Sequence, residues 1–162
     1  MAAPAENPPH ASVFLQDFVD VEGSVARVGG RLAAGGEWLA RLADAAGGDA
    51  EEQLVRVGPR LADWVARQVV VQLGQAHTSV DGVVVPIRWA DARRPGMFPV
   101  LDGDIEVVAL SPDRSRIVLH ASYRPPFDPV GAALDRALLH RVAESTVRSF
   151  LRRIAEVLTA PG

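Results

Sequence analysis

Cysteine and lysine are both absent from this sequence of 162 residues. Without cysteine there are no disulfide bonds, thiolate metal ligands or cysteine nucleophiles. All seventeen basic residues are arginine. A Schiff base on a lysine side chain and the lysine of a phosphate-binding P-loop are therefore excluded. These two absences remove several large classes of enzyme mechanism.

Long apolar runs and a basic surface are also lacking. No run approaches the ~18 apolar residues of a membrane-spanning helix. The net charge of −3 argues against a nucleic-acid-binding protein. Residues 1–11 contain three prolines and lack the basic and apolar regions of a signal peptide, so we predict a disordered N-terminal lead and a cytoplasmic protein. The remaining residues, 12–160, are predicted to form one domain with its own core.

The first part of the chain predicts one strand followed by two short helices. Residues 12–21 have the partial alternation of a strand, with Val13, Leu15, Phe18 and Val21 as the apolar positions. Ser24 is the predicted N-cap of a first helix. A second short helix is predicted over residues 37–46. Residues 51–66 are compatible with either a strand or a loop.

The middle of the chain predicts strands joined by short turns. Strands are predicted near residues 65–73, 83–89, 105–110 and 117–123, and Asp81-Gly82 indicates a hairpin between the first two. Pro86 inside the second of these strands indicates an edge position or a bulge. Residues 102–104 (Asp-Gly-Asp) are predicted as a turn. Because short turns connect antiparallel strands, the sheet is predicted to be antiparallel.

The last third of the chain predicts a long helix. Asp128-Pro129 has the pattern of an N-cap followed by proline at the first helical position, and the helix is predicted to continue to Thr159, a length of ~45 Å. One side is apolar, and the opposite side carries charged residues four apart: Arg136, His140, Glu144, Arg148 and Arg152. This helix has the apolar face needed to cover the sheet, so the fold class is predicted to be α+β.

Several short strings resemble a known superfamily. They are residues 85–89 (VPIRW), 98–102 (FPVLD), 123–126 (YRPP) and the helical segment 134–144. The chain resembles the START-like (SRPBCC) superfamily, which includes polyketide cyclase/dehydrase-like proteins, and is most similar to actinobacterial members without an assigned activity. The resemblance implies a helix-grip fold, in which a curved antiparallel sheet of six or seven strands wraps around a long C-terminal helix. It also implies a cavity for an apolar or aromatic ligand, and it carries over no catalytic residue.

Trp89 and Tyr123 are the main candidates for lining such a pocket. Each shares a strand face with aliphatic residues, and each combines an apolar ring with one polar group, which suits the orientation of a mostly apolar ligand. Ile87, Phe98 and Leu119 complete the predicted lining. The alternative is that these side chains fill the core. Tyr123 is also a weak candidate for a catalytic acid or base.

The other polar residues indicate surface positions. His140 and Glu144 are four apart on the long helix, but a metal site would need a further ligand that the sequence does not indicate. By strand parity His120 and Arg88 point away from the apolar face. No metal or cofactor is predicted.

Three functions are compatible with these observations. The first is binding of a lipid or polyketide-like small molecule without catalysis. The second is a polyketide aromatase/cyclase-like enzyme, and the third is a structural or partner-binding module with a filled core. The ligand and the choice between monomer and homodimer are left open by the sequence.

Overall fold

The computed structural model describes residues 12–35, 38, 42, 69–91, 100–124 and 136–161. The elements in these ranges are β1 (Val13–Glu22), α1 (Val25–Ala33), β2 (Val69–Leu73), β3 (His77–Thr78), β4 (Gly82–Asp91), β5 (Val100–Ser111), β6 (Arg114–Arg124) and α2 (Arg136–Thr159). The predicted disordered lead, the ambiguous segment 51–66 and the helix start at Asp128-Pro129 lie outside the described residues.

Within the described residues the sheet has six strands in the order β1-β6-β5-β4-β2, with β3 also paired to β4, and each of these pairings is antiparallel. It is curved and open. α1 packs mainly against β4 and β5, and α2 packs against β1 and β6. The predicted α+β helix-grip architecture is confirmed.

The core lies between one face of the sheet, called here the inner face, and the two helices. The odd-numbered residues of β4, β5 and β6 supply its sheet side, and α2 supplies Phe150 and Ile154, which are both fully buried. A fully buried aliphatic or aromatic side chain of this size contributes roughly 1.5–3 kcal/mol. The alternation predicted for β4 and β6 is confirmed, because Ile87 and Leu119 are buried whereas Arg88 and His120 are exposed.

α1 begins at the predicted cap. Ser24 has an extended backbone, and its Oγ accepts a hydrogen bond from the Arg27 N–H at 3.3 Å. Val28 and Leu32 are buried against the sheet. Of the second predicted short helix, the structure describes only Trp38 and Leu42, which are helical and pack against the core.

Arg31 connects the two helices. Its Nη1 donates hydrogen bonds to the carbonyl oxygens of Leu158 at 2.9 Å and Ala160 at 2.8 Å. The last carbonyl groups of a helix have no partner within the helix, and a cation is favourable beside them. Arg31 therefore stabilises the C-terminal end of α2.

The strand predicted over residues 12–21 is present as β1, but its apolar positions do not all share one face. Leu15 and Val21 are buried, whereas Phe14 and Phe18 lie on the outer face of the sheet with exposed fractions of 80% and 53%. A strand alternates with a period of two, so residues three apart point to opposite faces. The inner position of β1 next to Phe18 is held by Asp17.

The predicted turn at residues 102–104 is wrong, because these residues lie inside β5. Gly103 is opposite Ile87 on β4 and Ala121 on β6. A Cβ at Gly103 would collide with the carbonyl oxygen of His120. The glycine therefore marks a close approach of two strand backbones rather than a chain reversal.

Pro86 does not lie on an edge strand, since β4 has neighbours on both sides. β4 itself pairs with β5 in unbroken register, and the irregularity lies in the facing chain between β2 and β3. Leu73 pairs with Ile87 and His77 pairs with Val84, so residues 74–76 face only residues 85 and 86. The proline needs no N–H partner there, and its carbonyl accepts a hydrogen bond from the Gly74 N–H at 2.8 Å. The predicted hairpin at Asp81-Gly82 joins the short β3 to β4.

Candidate functional site

The two aromatic residues predicted to line a pocket fall at one level of the inner face. Cross-strand register aligns Val13, Tyr123, Leu101 and Trp89 across β1, β6, β5 and β4. Tyr123 and Trp89 are therefore separated by one residue, Leu101, on the strand between them. The structure describes the backbone of Trp89 but not its side chain. Phe98 lies outside the described residues.

Small residues occupy the middle of the next level. This level contains Leu15, Ala121, Gly103 and Ile87. The level beyond it is again bulky, with Leu119, Ile105 and Val85 on the three central strands. The side chains of the inner face are therefore small at Ala121 and Gly103, directly beside Tyr123, and large at the levels on either side. We call the inner surface at Ala121 and Gly103 the low region.

Ile87 and Leu119 border this low region. Their exposed fractions are 2% and 1%, and both belong to the main hydrophobic core. The sheet therefore brings three of the predicted lining residues, Ile87, Leu119 and Tyr123, to one buried apolar region.

Tyr123 is the polar group of this region. It is 7% exposed. Burial raises the pKa of its phenol, and the negative charge of Glu144 on α2 raises this pKa further. The phenol is therefore neutral at physiological pH, and a neutral phenol can both donate and accept a hydrogen bond.

A cleft separates β1 from α2 at the Tyr123 end of the sheet. Its volume is about 260 Å³. An ion pair crosses it, with Arg148 Nε 3.2 Å from Asp17 Oδ2. Glu144 and Arg148 are exposed, as the charged stripe of α2 predicted. The cleft is lined by Phe14, Leu15, Gln16, Asp17, Glu144, Val147 and Arg148.

The outer face carries the remaining candidate groups as ion pairs. Arg88 lies 3.5 Å from Asp102, and His120 lies 3.8 Å from Glu106. All four residues point away from the core, as parity predicted for Arg88 and His120. Among the residues described, no three His, Asp or Glu side chains are grouped as metal ligands would be.

Sequence reasoning missed Asp17 and the low region at Ala121 and Gly103. Strict alternation from Leu15 to Val21 would have placed Asp17 on the inner face. The low region had no such signal, because it depends on which residues of different strands lie opposite each other. The sequence indicated Glu144 as a residue of the outer stripe, and as half of a metal pair lacking a further ligand, but gave no sign of its effect on Tyr123.

Comparison with known proteins shows similarity in structure only. No protein-family model and no curated protein matches the sequence. A hypothetical protein from Helicobacter pylori has a TM-score of 0.55 at 12% identity, over 97% of this chain and 96% of that one. The Zhui aromatase/cyclase from Streptomyces has a TM-score of 0.52 at 12% identity, over 91% and 94%. A truncated norcoclaurine synthase from Thalictrum flavum has a TM-score of 0.50 at 8% identity, over 97% and 99%.

The aromatase/cyclase and norcoclaurine synthase have helix-grip folds of the SRPBCC class. This chain therefore has the helix-grip fold of START-like (SRPBCC) proteins, as its sequence resemblance predicted. At identities of 8–12% the similarity establishes the fold and not an activity. No helix among the described residues has both the length and the apolar character needed to cross a bilayer.

Proposed function

We propose that this protein binds an apolar or aromatic small molecule, of lipid or polyketide type, between the inner face of the sheet and α2, without transforming it. The observation that carries the proposal is the low region at Ala121 and Gly103 beside the buried Tyr123. Apolar side chains border this region on both sides, and ligand sites are mostly apolar surfaces with a few placed polar groups.

In this proposal Tyr123 supplies the polar contact. Its neutral phenol hydrogen-bonds a hydroxyl or carbonyl oxygen of the ligand, which fixes one end of an otherwise apolar molecule. Ile87 and Leu119 form apolar walls. Trp89 and Phe98 are proposed to complete the lining, Trp89 because of its register position next to Leu101.

The binding test uses an apolar fluorescent dye and one filling mutation. The wild-type protein is expected to bind the dye saturably and to release a lipid or polyketide-like compound when natively purified protein is analysed by mass spectrometry. Ala121→Leu places a larger side chain in the low region and is expected to abolish saturable binding. Ala109→Leu, the same change at an exposed position of β5, is the matched control and is expected to bind as the wild type does.

The same variant separates binding from a filled core. If side chains already fill the region, Ala121→Leu overpacks it and costs roughly 1–3 kcal/mol of folding free energy. If the region holds a ligand, the variant keeps its stability and loses binding. A wild-type protein with neither a co-purifying compound nor a saturable site would refute the proposal.

A cyclase-like enzyme is the second candidate, and the position of the buried Tyr123 phenol beside the low region favours it. A neutral phenol can donate a hydrogen bond to the oxygen of a developing alkoxide or enolate, and full transfer of its proton would be general acid catalysis. Tyr123→Phe keeps the ring and removes the proton. Loss of turnover of a polyketide substrate with retained binding would support this candidate, whereas unchanged turnover would remove Tyr123 from the reaction.

A further inference from the structure

β1 is an edge strand within the described ranges, where it pairs with β6 alone. The N–H of Phe18 donates to Asp17 Oδ1 at 2.9 Å, and the carbonyl of Glu22 accepts from Arg27 at 2.8 Å. Neither group is therefore used by β6. In an antiparallel pair alternate residues turn their backbone groups the same way, so those of Phe14 and Gln16 also point to the outer edge of β1.

The side chains along this edge include two large exposed aromatic residues. Phe14 is 80% exposed and Phe18 is 53% exposed. The Arg116 guanidinium lies over the Phe18 ring, 4.1 Å from its centre. Both rings lie on the outer face, two residues before and two residues after Gln16. Proteins normally protect an edge strand with charge, proline or a covering element, so an aromatic edge indicates a contact surface.

We propose that β1 pairs antiparallel with β1 of a second copy of this chain, with Gln16 facing Gln16 of the partner subunit across a two-fold axis. In this register Phe14 lies opposite Phe18 of the partner subunit, and Phe18 lies opposite the partner's Phe14. The two sheets become one continuous sheet when the Phe18 N–H exchanges Asp17 Oδ1 for the carbonyl oxygen of the partner's Phe14. Each copy uses the same surface, so the contact closes as a dimer.

The spacing of the residues favours this register over its neighbours. An axis through Asp17 would bring two carboxylates together, which is destabilising for directly opposed strand residues. An axis through Phe18 would place Phe14 opposite the partner's Glu22. An axis through Leu15 would place Phe18 opposite the partner's Ser12. Of these registers, only the one centred on Gln16 gives both phenylalanines an aromatic partner.

Charges on α2 are complementary in the same register. Leu15 and Glu144 line the cleft beside β1, and Asp17 holds Arg148 there. Because Leu15 faces the partner's Asp17, Arg148 of one copy lies level with Glu144 of the partner subunit. Opposite charges therefore lie at the same level on the helix side of the axis, and Asp17 has no carboxylate opposite it.

Cysteine cross-linking tests the register, since the chain has no cysteine of its own. Facing residues of a hydrogen-bonded antiparallel pair have Cα atoms about 5.5 Å apart, which is within the range of a disulfide. Gln16→Cys is expected to form a covalent dimer on mild oxidation. Phe14→Cys, Phe18→Cys and Leu110→Cys, an exposed outer-face control, are expected to stay uncrosslinked.

Sedimentation tests the dimer itself. The wild-type protein is expected to have about twice the chain mass of 17.3 kDa. Gln16→Lys would place two cations together at the axis and is expected to give a monomer with an unchanged circular dichroism spectrum, whereas Leu110→Lys is expected to stay dimeric. Any of three results would overturn the proposal: a wild-type monomer at the highest soluble concentration, a dimer that survives Gln16→Lys, or preferential cross-linking of Phe18→Cys.

Binding at the inner face is measured separately with Ala121→Leu, so either proposal can fail alone.

Discussion

Glu144 on α2 acts electrostatically on Tyr123 at the end of β6, and its negative charge adds to the effect of burial in raising the pKa of the phenol. The pair connects the charged side of the long helix to the buried face of the sheet. It also keeps the proton on the only tyrosine of the chain. This electrostatic effect can be measured without knowing the ligand.

The ionisation of Tyr123 can be followed by the near-ultraviolet absorbance of tyrosinate. Because the chain has one tyrosine, the tyrosinate signal comes from Tyr123 alone. The midpoint is expected above the ordinary value of about 10. Glu144→Gln is expected to lower the midpoint without restoring the ordinary value, because burial is the larger cause. Glu156→Gln, an exposed change farther along α2, is the control, and an equal shift in both variants would contradict the assignment.

Stability at alkaline pH should depend on the same group. The folded pKa of Tyr123 lies above its unfolded value of about 10, so the unfolded chain loses the proton first. The contribution of Tyr123 to the free energy of unfolding is therefore fully present below a pH of about 10, and it is lost as the pH rises towards the folded pKa. The free energy of unfolding, measured in urea across this range, is expected to fall with pH in the wild type. Tyr123→Phe should reduce that slope, and an identical slope would argue against the raised pKa.

Arg31→Gln is expected to lower the free energy of unfolding by about 1.5–3 kcal/mol, the range for hydrogen bonds to a charged group. The arginine donates to the carbonyl oxygens of Leu158 and Ala160. Arg152→Gln on the exposed side of α2 is the matched control and should change stability little. The measurement is the urea midpoint at an unchanged m value. Equal losses in the two variants would mean that the contacts of Arg31 do not stabilise the end of α2.

Ser115→Ala tests the contact between the start of α1 and the β5–β6 hairpin. Ser115 is fully buried, and its Oγ donates to the Gly23 carbonyl at 2.6 Å. Gly23 has a φ of +136°, which only glycine adopts readily. Leaving its buried carbonyl without this donor is expected to cost about 1–3 kcal/mol. Ser122→Ala, which loses a long contact of 3.5 Å at a half-buried position, should cost less; the reverse order would refute this role.

The features predicted from the sequence are those that depend on neighbouring residues. The faces of β4 and β6 followed from alternation, as Ile87 beside Arg88 and Leu119 beside His120 show. The Ser24 cap followed from local hydrogen-bond chemistry. The errors arose where a local signal had two meanings. Asp-Gly-Asp at residues 102–104 is common in turns, but here Gly103 is needed for the close approach of β5 to β6.

The sequence by itself determined the chemistry that is excluded, the alternating strand faces and the apolar side of the terminal helix. Each depends on residue types and on the periods of helix and strand. Only the tertiary structure decided that β1 is at the edge of the described sheet, that Ala121 faces Gly103 and that Glu144 acts on Tyr123. These relationships join residues far apart in the chain. Their register is set by the packing of all the strands and both helices together, so no local pattern specifies them.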